Sequence, residues 1–85
     1  MKHPAADPLA ALKNVDWLIS NGGQIALGAV GSVECAAVAS DESNCLAMLQ
    51  RRDGESLYQL LTRLDAAIAR AWDEGEFTDE INPDC

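Results

Sequence analysis

Histidine is nearly missing from this chain of 85 residues; the one imidazole, His3, lies near the N-terminus. Acid–base or nucleophilic catalysis needs a base held in place by a partner, so no histidine-centred active site is assembled from this sequence. Cysteine is sparse and odd in number, with Cys35, Cys45 and Cys85 at no paired spacing. Small secreted domains stapled by disulfides carry even, denser sets, so the expected compartment is reducing and cytoplasmic. The three thiols and His3 also lack the close C-x-x-C or H-x-x-x-H pairs that hold two zinc ligands locally, and no metal or other cofactor is expected. Long apolar runs are absent as well: Asp16, Glu34, Asp41 and Glu42 interrupt every candidate span, and Met1-Lys2-His3-Pro4 leads into no signal-like apolar region. No membrane partner is expected. The cations are Lys2, Lys13, Arg51, Arg52, Arg63 and Arg70, of which only Arg51 and Arg52 are adjacent. Nucleic-acid binding needs a basic stripe or patch that these do not form.

The remaining ligand motifs fail on chemistry. Gly23 and Gly28 have the spacing of a phosphate-binding loop, but Ala29-Val30 stand where its Lys and hydroxyl are needed. Asp41-Glu42 and Asp79-Glu80 lack the alternating oxygen ligands of a calcium loop and read as solvated charge.

What the chain does have is acid, unevenly placed. The formal net charge is −8, and Asp73, Glu74, Glu76, Asp79, Glu80 and Asp84 occupy residues 73–85 with no Lys or Arg among them. The preceding residues are nearly balanced. Apolar residues make up 48% and charged residues 24%, the composition of a folded domain rather than a disordered one. With this length only one core can form. The reading is a single α+β domain over residues 1–75 and an acidic C-terminal tail over 76–85.

Within the domain the expected order is α-β-β-β-α. A first helix runs from about 8 to 20, with Asp7 and Pro8 at its start and Asn21-Gly22 as its stop. Leu12, Val15, Leu18 and Ile19 share its core-facing side, and Trp17 points the opposite way. Residues 24–30, 33–40 and 45–51 are rich in β-branched and small apolar residues and read as three antiparallel strands joined by Gly31-Ser32 and Asp41–Asn44. Closing the second hairpin on Ser40 and Cys45 pairs Glu34 with Arg51. That register places Ile25, Leu27, Val38 and Leu49 on one face, and Val30, Val33, Leu46 and Met48 with Ala37 and Ala39 on the other. Leu57, Leu60, Leu61, Leu64, Ala67, Ile68, Ala71 and Trp72 lie along one side of a second helix, capped by Asp53 or Ser56 and ended at Gly75. The product is a two-layer fold in which helices pack on a three-stranded antiparallel sheet.

This element order resembles that of the double-stranded RNA-binding domain in outline. The family holds phosphates with a basic cluster at the start of its second helix, where this chain has Asp53-Gly54-Glu55-Ser56, which repels them. The leading functional reading is therefore a non-enzymatic interaction or regulatory domain. Trp17, Phe77 and Ile81 are its candidate interface residues, and its partner is another protein or a second copy of the chain. One alternative is a small enzyme using the thiol of Cys35 or Cys45 or a bound metal. Another is an acidic mimic that captures a basic partner through the tail.

Overall fold

Ser56 starts the long helix through a reciprocal cap. Its hydroxyl accepts from the Gln59 N–H at 3.1 Å, and the Gln59 side chain accepts from the Ser56 N–H at 2.9 Å, opening α2 (Leu57–Glu74). Gly75 closes it with a φ of 69°, a left-handed conformation that a Cβ penalises. Between the caps Leu60, Leu64, Ala67, Ile68 and Ala71 recur at helical spacing and are buried.

The computed structural model describes residues 11–31, 33–42 and 44–81. The first helix, α1 (Lys13–Ser20), is shorter than the expected 8–20, and the anticipated Asp7-Pro8 start lies outside the described residues. Leu12 occupies its N-cap position without a side-chain cap. The Asp65 carboxylate of α2 fills that role from 51 residues away, accepting from the Asn14 and Val15 N–H groups at 2.8 and 2.9 Å and from the Asn14 side chain at 3.0 Å. A negative charge there also meets the positive end of the helix dipole. The chain leaves α1 through a turn in which the Gly23 N–H donates to the Leu18 carbonyl at 2.8 Å. A Cβ at Gly23 would collide with the Leu18 side chain, so this close approach requires glycine.

Three strands follow: β1 (Gln24–Val30), β2 (Val33–Ser40) and β3 (Cys45–Gln50), antiparallel and in sequence order. Their bounds match the expected ones except that β3 stops a residue short. A fourth strand, β4 (Thr78–Asp79), pairs in parallel with β3, so the sheet is four-stranded and mixed rather than three-stranded and antiparallel. Its residues come from the segment read as a tail.

The expected register needs correction on both sides of β2. Ser40 does face Cys45, but Ala39 then pairs with Ala47, which leaves Leu46 as an extra residue in β3. A second irregularity lies between Gly28 and Val30 opposite β2. Each bulge shifts the pairing by one residue, which reverses the faces of β2 relative to both neighbours. Glu34 and Arg51 consequently do not pair; the Arg51 N–H donates to the Cys35 carbonyl and its side chain to the Glu55 carbonyl. Ala37 and Ala39 stand with Ile25, Leu27, Ala47 and Leu49, while Val38 stands with Ala26 and Met48.

Both helices pack on the face carrying Ala37, Ala39, Ala47 and Leu49, which form one buried cluster with Leu18, Leu46, Leu60, Leu64, Ala67, Ile68 and Ala71. The sheet presents mostly methyl groups and the long helix presents Leu and Ile, so large side chains of one layer fill the space left by small ones in the other. Val38 and Met48 occupy the opposite face half-buried, alongside the polar Gln24, Ser40, Gln50 and Asp79. No helix among the described residues is long and apolar enough to cross a membrane.

Truncating Leu64→Ala leaves a cavity at the centre of this contact and should cost about 2–5 kcal/mol. Removing the cap with Ser56→Ala should cost about 1 kcal/mol. Urea unfolding followed by circular dichroism ranks the two; equal losses would mean that α2 is held by its ends rather than by its buried face.

Candidate functional site

Trp17 projects from the outer side of α1 and remains 57% exposed. It is nevertheless not isolated. Its ring meets that of Trp72 edge to face, with centroids 5.1 Å apart and planes at 75°, a geometry favoured by the aromatic quadrupoles. Trp72 is itself 39% exposed. With Lys13 and Asn14 the two rings line a shallow concavity of about 400 Å³ on the α1–α2 flank. Asp65 holds the start of α1 against α2, so the same carboxylate that caps the helix sets the position from which Trp17 reaches Trp72.

The other two candidate residues lie elsewhere. Phe77 precedes β4 and is 60% exposed. Ile81 is half-buried, donates its N–H to the Asp79 carboxylate at 2.9 Å, and lines an open concavity of about 830 Å³ with Val33, Cys35 and the 51–56 loop. The lining of that concavity shares no residue with the Trp17 surface. Its rim mixes Arg51 and Arg52 with Glu34, Asp53 and Glu55, so it favours neither sign of charge in a ligand. Where the RNA-binding resemblance would need a cationic cluster, this loop carries Asp53 and Glu55.

Arg63, on the polar side of α2, organises the loop and β4. Its Nε and Nη2 donate to both oxygens of Glu55 at 2.7 and 2.9 Å, its Nη2 also reaches the Gln50 carbonyl at 3.0 Å, and its Nη1 donates to Glu80 at 3.0 Å. Glu80 in turn accepts from the Gln50 N–H at 3.0 Å, and the Glu80 N–H donates to the Met48 carbonyl at 2.8 Å. One guanidinium thus ties α2, the 51–56 loop, β3 and β4 together, with the bidentate geometry that makes Arg–carboxylate pairs strong. The Arg63 hydrogen bonds, helped by the Arg52 N–H, hold the Glu55 carboxyl well below its ordinary range, at about 2. The pairing raises Arg63 in return.

Among the described residues the thiols are Cys35 and Cys45, both free. Cys35 packs against the core cluster. Burial, with the neighbouring charge of Asp79, pushes the Cys45 thiol up, which reduces the thiolate available at neutral pH. Among the described residues no group of His, Cys, Asp and Glu is arranged to hold a metal ion. His3 and Cys85 lie outside them.

The residue pattern puts Trp72 on the apolar side of the second helix and reads Asp79-Glu80 as solvated charge, and it shows neither the aromatic pair nor the Arg63 clamp. No local signal marks either one, since the partners are separated by whole elements. The pairing of Glu55 has a pH consequence. Its folded value lies below the ordinary 4.5, so its contribution is complete above that value and is lost as pH falls through about 2. Urea midpoints measured between neutral pH and pH 2 should fall less steeply for Glu55→Gln than for the unaltered chain, and parallel curves would show that the clamp adds no pH-dependent stability. No protein-family model matches the chain, and neither a curated protein nor a solved structure matches it.

Proposed function

We propose that this chain is a non-enzymatic interaction domain that engages a protein partner through the Trp17–Trp72 surface. The observation that carries the reading is the edge-to-face contact of two exposed indoles beside Lys13 and Asn14. Tryptophan is over-represented among residues that dominate binding energy, because it buries a large apolar area while keeping a polar N–H. Each ring here limits the motion of the other before any partner arrives, which lowers the entropy lost on binding. The ligand chemistry that fits is an apolar side chain laid across the rings, with a carboxylate or carbonyl group within reach of Lys13.

The two alternatives draw less support. A thiol enzyme would use Cys35 or Cys45, and the surroundings of Cys45 disfavour its reactive form. An acidic mimic would present the charges of the 73–85 segment outward, whereas Glu80 is engaged by Arg63 and Arg52.

Selection of peptide ligands against the folded chain, followed by titration of Trp fluorescence, tests the reading. Trp17→Ala should weaken the selected ligands by about 2 kcal/mol or more, roughly thirtyfold, while Phe77→Ala should change affinity little. Ligands that bind the Trp17→Ala chain at full strength would place the interaction on another surface.

A further inference from the structure

Three of the chain's six Lys and Arg residues, Arg52, Arg63 and Arg70, line one concavity of about 240 Å³ between α2 and β4. Arg63 and Arg70 stand about two turns apart on α2, with the small Ala66 and Ala67 between them. Glu80 answers Arg63 and Arg52. Arg70 makes no ion pair among the described residues, although the chain's net charge is −8. The chain returns along α2 from the Glu76 N–H, which donates to the Arg70 carbonyl, to Glu80 at Arg63, so Thr78 lies between the two arginines. Thr78 also lines the concavity and shares a strand face with Glu80 by the two-residue alternation. It presents a hydroxyl where a carboxylate would meet Arg70.

The backbone pairing is equally incomplete. β4 covers only Ala47 and Met48 of β3. A parallel strand continuing past residue 79 would offer the Gln50 N–H a backbone carbonyl. Here that N–H donates to Glu80 Oε1 at 3.0 Å, and the Ile81 N–H turns to the Asp79 carboxylate. The largest side chain of the segment, Phe77, is 60% exposed. Short pairing and little apolar burial are the features of a segment that opens locally while the core stays folded.

We propose that the β3 edge and the arginines of α2 form a docking site for an extended acidic segment of a partner protein, and that residues 78–81 occupy this site as an internal, imperfect stand-in. The occupant's chemistry follows from the groups that face it. The main chain of β3 requires an extended strand, as in recognition by strand addition. Arg70 and Arg63 require carboxylates at alternate residues, the first at the position of Thr78 and the second at that of Glu80. Such a segment keeps the contacts of the stand-in and adds the Arg70 pair and a backbone bond to Gln50. These additions let it displace an internal segment whose short tether gives it an effective concentration on the order of millimolar. The concavity shares no residue with the Trp17–Trp72 surface, so the two sites are separate.

Amide exchange read by nuclear magnetic resonance tests the site in the full chain. Glu80→Gln should speed exchange of the residue-80 amide about tenfold or more, and Thr78→Asp should slow it by a similar factor, through the loss or gain of a charge-assisted hydrogen bond. Adding Arg70→Ala should cancel the slowing. The Leu64 and Ile68 amides should keep their protection throughout, which establishes that the variants are folded. A peptide copy of residues 75–81 carrying Thr78→Asp, titrated onto the Glu80→Gln chain, should shift the Gln50 amide and bind roughly tenfold tighter than the unsubstituted copy. Arg70→Ala should remove that advantage. A Thr78→Asp chain that exchanges at the unaltered rate overturns the proposal. So do two peptides of equal affinity, or a peptide that leaves the Gln50 amide unshifted.

Discussion

The Leu and Ile side chains of α2 rest on a floor of alanines, and this contact supports everything else in the molecule. Ala37, Ala39 and Ala47 contribute little apolar area individually, but their size lets Leu60, Leu64 and Ile68 come down onto the sheet until all are buried. Each such side chain contributes about 1.5–3 kcal/mol before the entropy of ordering it is subtracted. A domain this small has few other sources of stability. The position of α1 is derived from α2 through Asp65, and the positions of the 51–56 loop and β4 are derived from it through Arg63. The Trp17–Trp72 surface is a consequence of where that one helix lies.

The distribution of acid follows from the same arrangement. Asp65, Glu55 and Glu80 each act as acceptors for groups contributed by other elements. The acidic character of the chain is therefore partly structural, and formal net charge overstates what is offered to a partner. The Trp17–Trp72 surface carries Lys13 as its charged lining residue, and the Asp65 carboxylate beside it is occupied by the start of α1.

Much of the fold was legible in the residue pattern. The Leu periodicity, a cap at Asp53 or Ser56 and the stop at Gly75 located α2, and the turn residues between 24 and 50 located three strands, because each of these signals is local. The two bulges were not legible. A slip of one residue has no signature in a stretch where Ala-Ala-Val-Ala satisfies either face, and only the demand that Leu60 and Leu64 descend onto small neighbours decides between the registers. The same limit hid the fourth strand: Thr78-Asp79 has neither length nor apolar alternation, and it joins β3 through the backbone bond of Glu80 to Met48 and the reach of Arg63. Of the three residues read as interface candidates, Trp17 acquires a structural partner, whereas Phe77 and Ile81 are placed apart from it. An exposed Trp on an amphipathic helix can be spotted from spacing, but its partner on another helix cannot.

The claim that β2 turns its alanines toward α2 is tested most directly by methyl-to-methyl nuclear Overhauser effects on isotope-labelled protein. Cross-peaks from the Ala37, Ala39 and Ala47 methyls to Leu60, Leu64 and Ile68, with none from Val38 or Met48, are the result this structure predicts. Cross-peaks from Val38 to the α2 methyls, with those from Ala37 and Ala39 missing, would restore the unbulged register and remove the floor on which the rest of the molecule stands.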